Sequence, residues 1–193
     1  MIAFVVGLAL FLGLHSIRIV AEPMRTRLID RLGANGWKGA YSIVSIASFA
    51  LLVWGYSQAR MTTSFVWIPP TPMRHIAALL TLVAFVIFLA AYVPKNHIKA
   101  RLHHPMMLGV KVWAFAHLIA NGSLVDMVLF GSFLAWAIVA FRAARIRDRA
   151  AGTTYPAGTG AGTAMTVVAG VAAWAVFAFW AHGVLIGVRP LGM

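Results

Sequence analysis

The chain has 193 residues, of which 62% are hydrophobic and only 10% charged, and its mean hydropathy is +0.87. Because a soluble domain carries about 25% charged residues, this composition excludes an ordinary soluble globular protein. The absence of cysteine excludes disulfides, thiolate metal ligands and cysteine nucleophiles. The net charge is +12. In a membrane protein, basic residues set the topology and contact anionic lipid headgroups, so this charge does not indicate nucleic-acid binding.

Six apolar blocks of membrane-spanning length follow one another along the chain. About 20 mainly apolar residues cross the hydrocarbon core as a helix. The first block has no basic segment ahead of it, so we interpret it as a transmembrane helix and not as a cleaved signal peptide. The predicted helices cover residues 2–20, 38–59, 74–93, 106–122, 124–141 and 164–186. The predicted fold class is an all-α, polytopic transmembrane helical bundle, forming one domain over residues 1–193.

Turn-forming residues separate these blocks. Prolines cluster at 69–72 before the third helix, and Pro94 follows it. Only the short turn at 121–123 separates the fourth and fifth helices, which predicts a tight helical hairpin. Residues 150–163, AAGTTYPAGTGAGT, predict a flexible linker because glycine, threonine and alanine dominate them.

The distribution of basic residues predicts the orientation. Eleven of the 16 lysines and arginines lie in the connections after the first, third and fifth helices, and cytoplasmic loops carry such an excess. These connections are therefore expected in the cytoplasm, and both termini in the periplasm. The eleven residues are Arg25, Arg27, Arg31, Lys38, Lys95, Lys99, Arg101, Arg142, Arg145, Arg147 and Arg149.

The fourth helix carries the polar residues that most need an explanation, since charged and imidazole groups are costly inside a bilayer. His104 and His117 are separated by roughly 20 Å along the helix and about 220° around it, so they cannot ligate one ion together. His104 shares a face with Lys111, whereas Trp113, His117 and Asn121 form a second stripe at spacings of four.

Two interpretations of His117 stand side by side. A buried histidine can be hydrogen-bonded to a neighbouring helix, or it can be a metal or haem ligand, because neutral imidazole is a common ligand. Lys111 can reach the cytoplasmic interface with its long side chain.

The first helix carries a comparable polar stripe. His15, Arg18 and Glu22 follow one another on an otherwise apolar helix. Arg18 can pair with Glu22 or can contact an acidic group of a bound ligand, such as a haem propionate. The same face continues into Phe4, an apolar side chain that would pack on a macrocycle.

Several motifs together resemble the NnrU family of membrane proteins. The likeness runs along the whole chain, and the combination of HPMMxG with WAFAHLIANG is its most specific part. The segments that carry the resemblance are LHSIR (14–18), YSIVSIASFALLVWGY (41–56), VWIPP (66–70), HHPMMLGVKVWAFAHLIANG (103–122) and LFGSF (129–133).

The resemblance implies a context, a cofactor and its ligands. The family is associated with nitrite and nitric oxide reduction in denitrifying bacteria, which implies the inner membrane. A related plant enzyme, 15-cis-zeta-carotene isomerase, holds haem b through histidines and isomerises a carotenoid. Matched to that relative, His15 and His117 would be the axial ligands. The other candidate cofactor-binding residues are Arg18, Trp113, Asn121 and His104.

The same resemblance leaves the reaction open. Nitric oxide or a hydrophobic polyene would be a partner besides the lipid bilayer, and no catalytic residue is predicted. The relative has a cysteine three residues before its helix-4 histidine, where this chain has Ala114. A thiolate ligand is therefore impossible here, and a zeta-carotene isomerase-like activity stands as an alternative.

Two further alternatives belong to other classes. LHHPMMLG (102–109), with His104 and a following glycine, resembles the Arg-His-Pro motif with which membrane methyltransferases bind S-adenosylmethionine. In this chain the arginine is replaced by His103, and the later acidic pair is reduced to Asp148 within FRAARIRDR (141–149). A non-enzymatic membrane assembly factor, in which the histidines only join helices, is the other alternative.

Overall fold

The computed structural model describes residues 1–191, and this part of the chain forms seven helices and no β-strand. The all-α prediction is confirmed. A 3₁₀ turn follows the second helix at Arg60–Thr62, and the last helix contains a π-helical turn at Phe177–Ala181. The helices are α1 (Ile2–Val20), α2 (Glu22–Ala59), α3 (Pro72–Leu89), α4 (His97–Leu102), α5 (Pro105–Ala120), α6 (Leu124–Ala151) and α7 (Gly160–Ile186).

Five of these helices are long and apolar enough to cross a membrane, namely α1, α2, α3, α6 and α7. The sixth predicted span corresponds to α5, which has 16 residues and rises about 24 Å. The second prediction differs in its start, because α2 begins at Glu22 and not at residue 38. A break inside α2 at Gly33, with φ 70° and ψ 162°, separates a short first part from the apolar part.

The described chain divides into two compact units, and the first consists of residues 1–66 and 123–129. Here α1 and α2 run antiparallel, as successive ring pairs show: Phe4 with Tyr56, Phe11 with Phe49, and His15 with Tyr41. As the residue number of the α1 partner increases, the residue number of the α2 partner decreases. The polar residues of α1 therefore face the first turns of the apolar part of α2.

Two glycines let α1 and α2 approach each other closely. A Cβ on Gly7 would lie 2.5 Å from the backbone nitrogen of Leu52, and one on Gly55 would lie 2.3 Å from that of Phe4. Small residues at such positions allow backbone contact between membrane helices. The contact buries Phe4 and Leu52 almost completely.

The second unit contains residues 67–122 and the residues from Phe130 onward, with α3 packed between α5 and α7. Glycines again set the contacts, since a Cβ on Gly109 of α5 would lie 3.0 Å from the Cβ of Phe88. A Cβ on Gly170 of α7 would lie 2.6 Å from the Cα of Val86. Trp174 adds a hydrogen bond from its indole nitrogen to the Thr81 hydroxyl, 3.1 Å away.

Helix α5 returns the chain to the end at which α3 begins. The backbone N–H of Trp67, just before α3, donates to the carbonyl of Gly122, just after α5, at 3.4 Å. Because α5 also packs antiparallel along α3, it covers nearly the same height as the 18-residue α3. Its shortness therefore does not prevent it from traversing this unit.

The predicted hairpin of α5 and α6 is present, with only residues 121–123 between them. Successive ring pairs run in opposite directions along the two helices: His117 with Phe130, and Trp113 with Phe133. Helix α6 continues to Ala151, ten residues beyond its predicted end, so its arginine-rich part is helical.

The segment between α6 and α7 is shorter than the predicted linker and is anchored to the α3–α4 connection. The N–H of Thr159 donates to the carbonyl of Lys95 at 2.7 Å, and the N–H of His97 donates to the Thr163 hydroxyl at 3.0 Å. Gly158 lies against the backbone of His97 with no space for a side chain. These contacts fix the start of α7.

Candidate functional site

His15 lies on α1 in the first unit, and its ring is held by its own helix. Nδ1 lies 2.7 Å from the carbonyl oxygen of Phe11, one turn earlier, and a carbonyl only accepts, so Nδ1–H is the donor. The ring centroid is 4.2 Å from that of Phe11 and 5.6 Å from that of Tyr41. With the proton on Nδ1, the lone pair of the neutral imidazole is on Nε2, which suits it to ligate a metal.

Arg18 lies one turn after His15, in the exposed last turn of α1. The carboxylate of Glu22, its predicted partner, forms an ion pair with Arg25 at 2.9 Å. This pair lies within the first turn of α2. Arg18 lies at the end of the helix that carries His15, where a guanidinium can meet an anionic group.

His117 lies on α5 in the second unit and repeats the local geometry of His15. Its Nδ1–H donates to the carbonyl of Trp113, one turn earlier, at 2.9 Å. The ring packs against Phe130 of α6 at a centroid distance of 4.5 Å and against Trp113 at 5.0 Å. The lone pair is thus on Nε2 here as well.

The other two members of the predicted stripe have distinct surroundings. The indole of Trp113 meets Phe130 and Phe133 edge-on, at centroid distances of 5.2 and 5.6 Å. Asn121 follows the last residue of α5, and its side-chain amide donates to the carbonyl of His117 at 2.9 Å. Asn121 therefore caps the C-terminus of α5 and satisfies the backbone carbonyl of His117.

The structure describes the two predicted ligands in separate units, His15 in the first and His117 in the second. Within residues 1–191, no three histidine or acidic side chains are grouped so that they could hold a metal ion. A haem differs from such a site because its porphyrin supplies four nitrogens, and the protein supplies only axial ligands. The chemistry of both imidazoles fits that requirement.

His104, the sixth predicted site residue, belongs to a different cluster. Its Nε2–H donates to a carboxylate oxygen of Asp148, near the end of α6, at 2.8 Å. The hydroxyl of Tyr155 donates to the same oxygen at 2.8 Å. The ring of Tyr155 stacks on His103, with centroids 4.3 Å apart and an interplanar angle of 5°, and Arg145 donates to Nδ1 of His103.

This cluster joins the α4–α5 corner, the end of α6 and the segment before α7. Burial, followed by the hydrogen bond to Asp148, raises the pKa of Tyr155 to about 12, so its hydroxyl keeps its proton at neutral pH. The face shared by His104 and Lys111 packs on Phe141, with the Lys111 ammonium 4.1 Å from the ring centroid. His104 thus has carboxylate and aromatic partners and lies apart from His117 on α5.

A polar group in the first unit was not predicted from the sequence. The hydroxyl of Tyr56 donates to Asp126 at 2.5 Å, and the hydroxyl of Ser123 donates to the other oxygen of Asp126 at 2.7 Å. The N–H of Asp126 donates back to Ser123 at 3.2 Å. The sequence does contain a signal for part of this group. Ser123 and Asp126 form a Ser-x-x-Asp motif ahead of an apolar run, which is typical of a capping box at a helix N-terminus.

Comparison with protein-family models decides which family these helices belong to. The model described as NnrU protein matches residues 3–190, nearly the whole chain. The chain belongs to the NnrU family. The comparison with curated proteins gave no match, and neither did the comparison with solved structures.

The NnrU match covers both compact units and all the residues singled out above. His15, His104 and His117 therefore all lie within the residues that match the family. The predicted family resemblance is confirmed.

Proposed function

We propose that this NnrU protein is a haem b-binding protein of the bacterial inner membrane that acts in nitrite and nitric oxide metabolism. The metabolic context is part of the proposal and rests on what the NnrU resemblance implies, and the five long apolar helices support a membrane location. The basic connections support an orientation in which residues 22–38, the α3–α4 connection and the end of α6 face the cytoplasm.

The observation that carries the haem proposal is that two histidines have the same ring orientation and the same tautomer. His15 and His117 each donate Nδ1–H to the carbonyl four residues earlier, so each has its lone pair on Nε2. Ligating histidines are commonly oriented by such a bond from the second nitrogen, which fixes the tautomer and raises the basicity of the ligand. Each ring also lies among aromatic side chains, which suits a hydrophobic macrocycle.

Other residues of this chain would support the bound group. Arg18, at the end of α1, would neutralise a propionate, and Asn121 would hold the helix turn behind His117. The haem would supply redox chemistry, nitric oxide binding or, with a polyene, cis–trans isomerisation. Ala114 excludes a thiolate exchange at this position.

The haem proposal is tested by absorption spectroscopy of the protein expressed with haem supplied and purified in detergent. We expect a Soret band that shifts on reduction with dithionite. The band should be lost or strongly displaced in His15→Ala and in His117→Ala. His117→Gln, which keeps hydrogen bonding but not ligation, should behave like His117→Ala.

A matched control is His182→Ala, because Nδ1 of His182 also donates to a backbone carbonyl, that of Val188, at 2.6 Å. His182 lies after the π-helical turn of α7 and is not a predicted ligand, so this variant should keep the spectrum. Absence of a Soret band, or a spectrum unchanged in both ligand variants, would contradict the proposal. Normal function of His117→Gln in cells would favour the assembly factor.

One observation favours a second candidate, an S-adenosylmethionine-binding protein. The structure brings His104, in the motif by which the chain resembles membrane methyltransferases, to 2.8 Å from Asp148, the one acid that remains of their later acidic pair. If the protein binds this cofactor, S-adenosylmethionine should raise its melting temperature in detergent, whereas adenosine at the same concentration should not. An unchanged melting temperature at millimolar cofactor would exclude this candidate.

A further inference from the structure

The connection between α1 and the apolar part of α2 is a helix of its own. Helix α1 ends at Val20, and residues 22–32 form three helical turns that begin with Glu22 and Pro23. Proline suits the first turn of a helix because its missing N–H would have no partner there. The backbone leaves the helical conformation at Gly33, so residues 22–32 are not continuous with the apolar helix that follows.

One face of this short helix is apolar and exposed. Met24, Leu28 and Leu32 follow at spacings of four, which places them above one another along the helix. The exposed fractions of Met24 and Leu32 are 46% and 52%, and Leu28 is half-buried. A stripe of this kind normally packs on another apolar surface.

A basic stripe runs beside the apolar one. Arg27 and Arg31 are four residues apart, and both are exposed. Arg25 is neutralised by its ion pair with Glu22, and Asp30 is the other acidic residue of the helix. Together with Lys38, the segment has an excess of positive charge next to its apolar stripe.

The position of the segment in the chain agrees with the boundary of a bilayer. The 19 residues of α1 rise about 28 Å, close to the thickness of the hydrocarbon core, and residues 22–32 begin where α1 ends. After Gly33, the rings of Trp37 and Tyr41 lie 5.8 Å apart. Tryptophan and tyrosine are enriched at the level of the lipid headgroups.

We propose that residues 22–32 form an interfacial helix that binds anionic phospholipid. Met24, Leu28 and Leu32 enter the boundary between headgroups and acyl chains, and Arg27 and Arg31 bind lipid phosphates. An amphipathic helix with arginine beside its apolar face binds a membrane surface through apolar burial and charge together. The inference rests only on residues of the first compact unit and is independent of haem binding.

The depth of the helix can be measured because the chain contains no cysteine. Single-cysteine variants Met24→Cys and Leu32→Cys, spin-labelled in vesicles of phosphatidylcholine and phosphatidylglycerol, should be accessible to oxygen and shielded from a water-soluble nickel reagent. Thr26→Cys and Asp30→Cys, on the opposite face, should show the reverse. A pattern with helical period supports the proposal, and equal exposure to the nickel reagent at all four positions would overturn it.

The lipid preference requires a second measurement. The full-length protein is purified from the mixed vesicles, and the retained phosphatidylglycerol is quantified relative to phosphatidylcholine. The enrichment of the anionic lipid should fall in Arg27→Gln/Arg31→Gln, by about fivefold for each arginine removed. The control pair Arg60→Gln/Arg74→Gln removes the same charge outside this helix and should keep the enrichment.

The two measurements separate the possible results. Shielded labels without a loss of anionic lipid in Arg27→Gln/Arg31→Gln would overturn the assignment of the arginines. Labels that become shielded only when an acidic protein or RNA is added would overturn the membrane surface as the partner.

Discussion

The two histidines on which the function proposal rests share one backbone arrangement. Each lies one turn after the carbonyl that accepts its Nδ1–H, at 2.7 Å for His15 and 2.9 Å for His117. A helix offers such a carbonyl to any histidine with the right rotamer, and the hydrogen bond then orients the ring. The residues and the helices could be predicted from the sequence, but the rotamer and the tautomer could not.

Tyr155 illustrates a residue whose importance depends on contacts far along the chain. Its ring stacks on His103, and its hydroxyl donates to Asp148. We expect Tyr155→Ala to release the segment 152–159 and to accelerate trypsin cleavage after Arg149 severalfold in detergent. Tyr155→Phe keeps the stacked ring and loses only the hydrogen bond, so its cleavage rate should lie between those of Tyr155→Ala and the wild type.

The control for this prediction is Tyr92→Phe, which removes an exposed tyrosine hydroxyl elsewhere in the same unit. It should leave the cleavage rate unchanged. If Tyr155→Ala is cut no faster than the wild type, the segment is not held by this side chain.

At the scale of the helices, apolar blocks predicted where most elements lie, because hydrophobicity is a property of each residue in its own segment. Boundaries were less predictable where the helix continues beyond the apolar block. The residues ahead of 38 include a separate short helix, 22–32, and α6 ends after residue 141, where arginine and alanine favour helix in water-exposed turns. A hydropathy criterion does not detect such extensions.

Glycine positions decide how closely α1 and α2 pack. We expect Gly55→Ala to destabilise the protein by about 1–3 kcal/mol, because its new methyl group would overlap the backbone at Phe4. The melting temperature in detergent should fall accordingly. Gly13→Ala is the matched control on α1, since no atom lies within 4 Å of its added Cβ, and it should be neutral or slightly stabilising.

An equal loss in both variants would contradict this explanation, because the added Cβ of Gly13 meets no atom within 4 Å and its loss could not come from an overlap. Gly7→Ala offers a second measurement on the same contact, with an overlap at the backbone of Leu52.

For the whole molecule, the number of crossings depends on α5. Although α5 has only 16 residues, it packs along α3 and ends beside Trp67. With six crossings and the proposed orientation, we expect Met61 outside the cytoplasm and Thr154 inside it. We expect Met61→Cys to react with a membrane-impermeant maleimide in intact cells, and Thr154→Cys to react only after the cells are permeabilised.

Both positions are exposed, so a lack of labelling is not explained by burial. If Thr154→Cys is labelled in intact cells together with Met61→Cys, α5 does not cross the bilayer and the termini lie on opposite sides. The cysteine-free chain serves as the unlabelled control.

The sequence by itself determined the class of this protein, the order of its apolar helices, its family and the histidines worth testing. Each of these depends on the composition of a short segment or on a motif that stands complete in the chain. Only the tertiary structure decided which polar groups meet. It paired His104 with Asp148 across 44 residues and Tyr56 with Asp126 across 70. Such pairs depend on which helix faces touch, and those faces are selected by close approaches at a few glycines that no local pattern specifies.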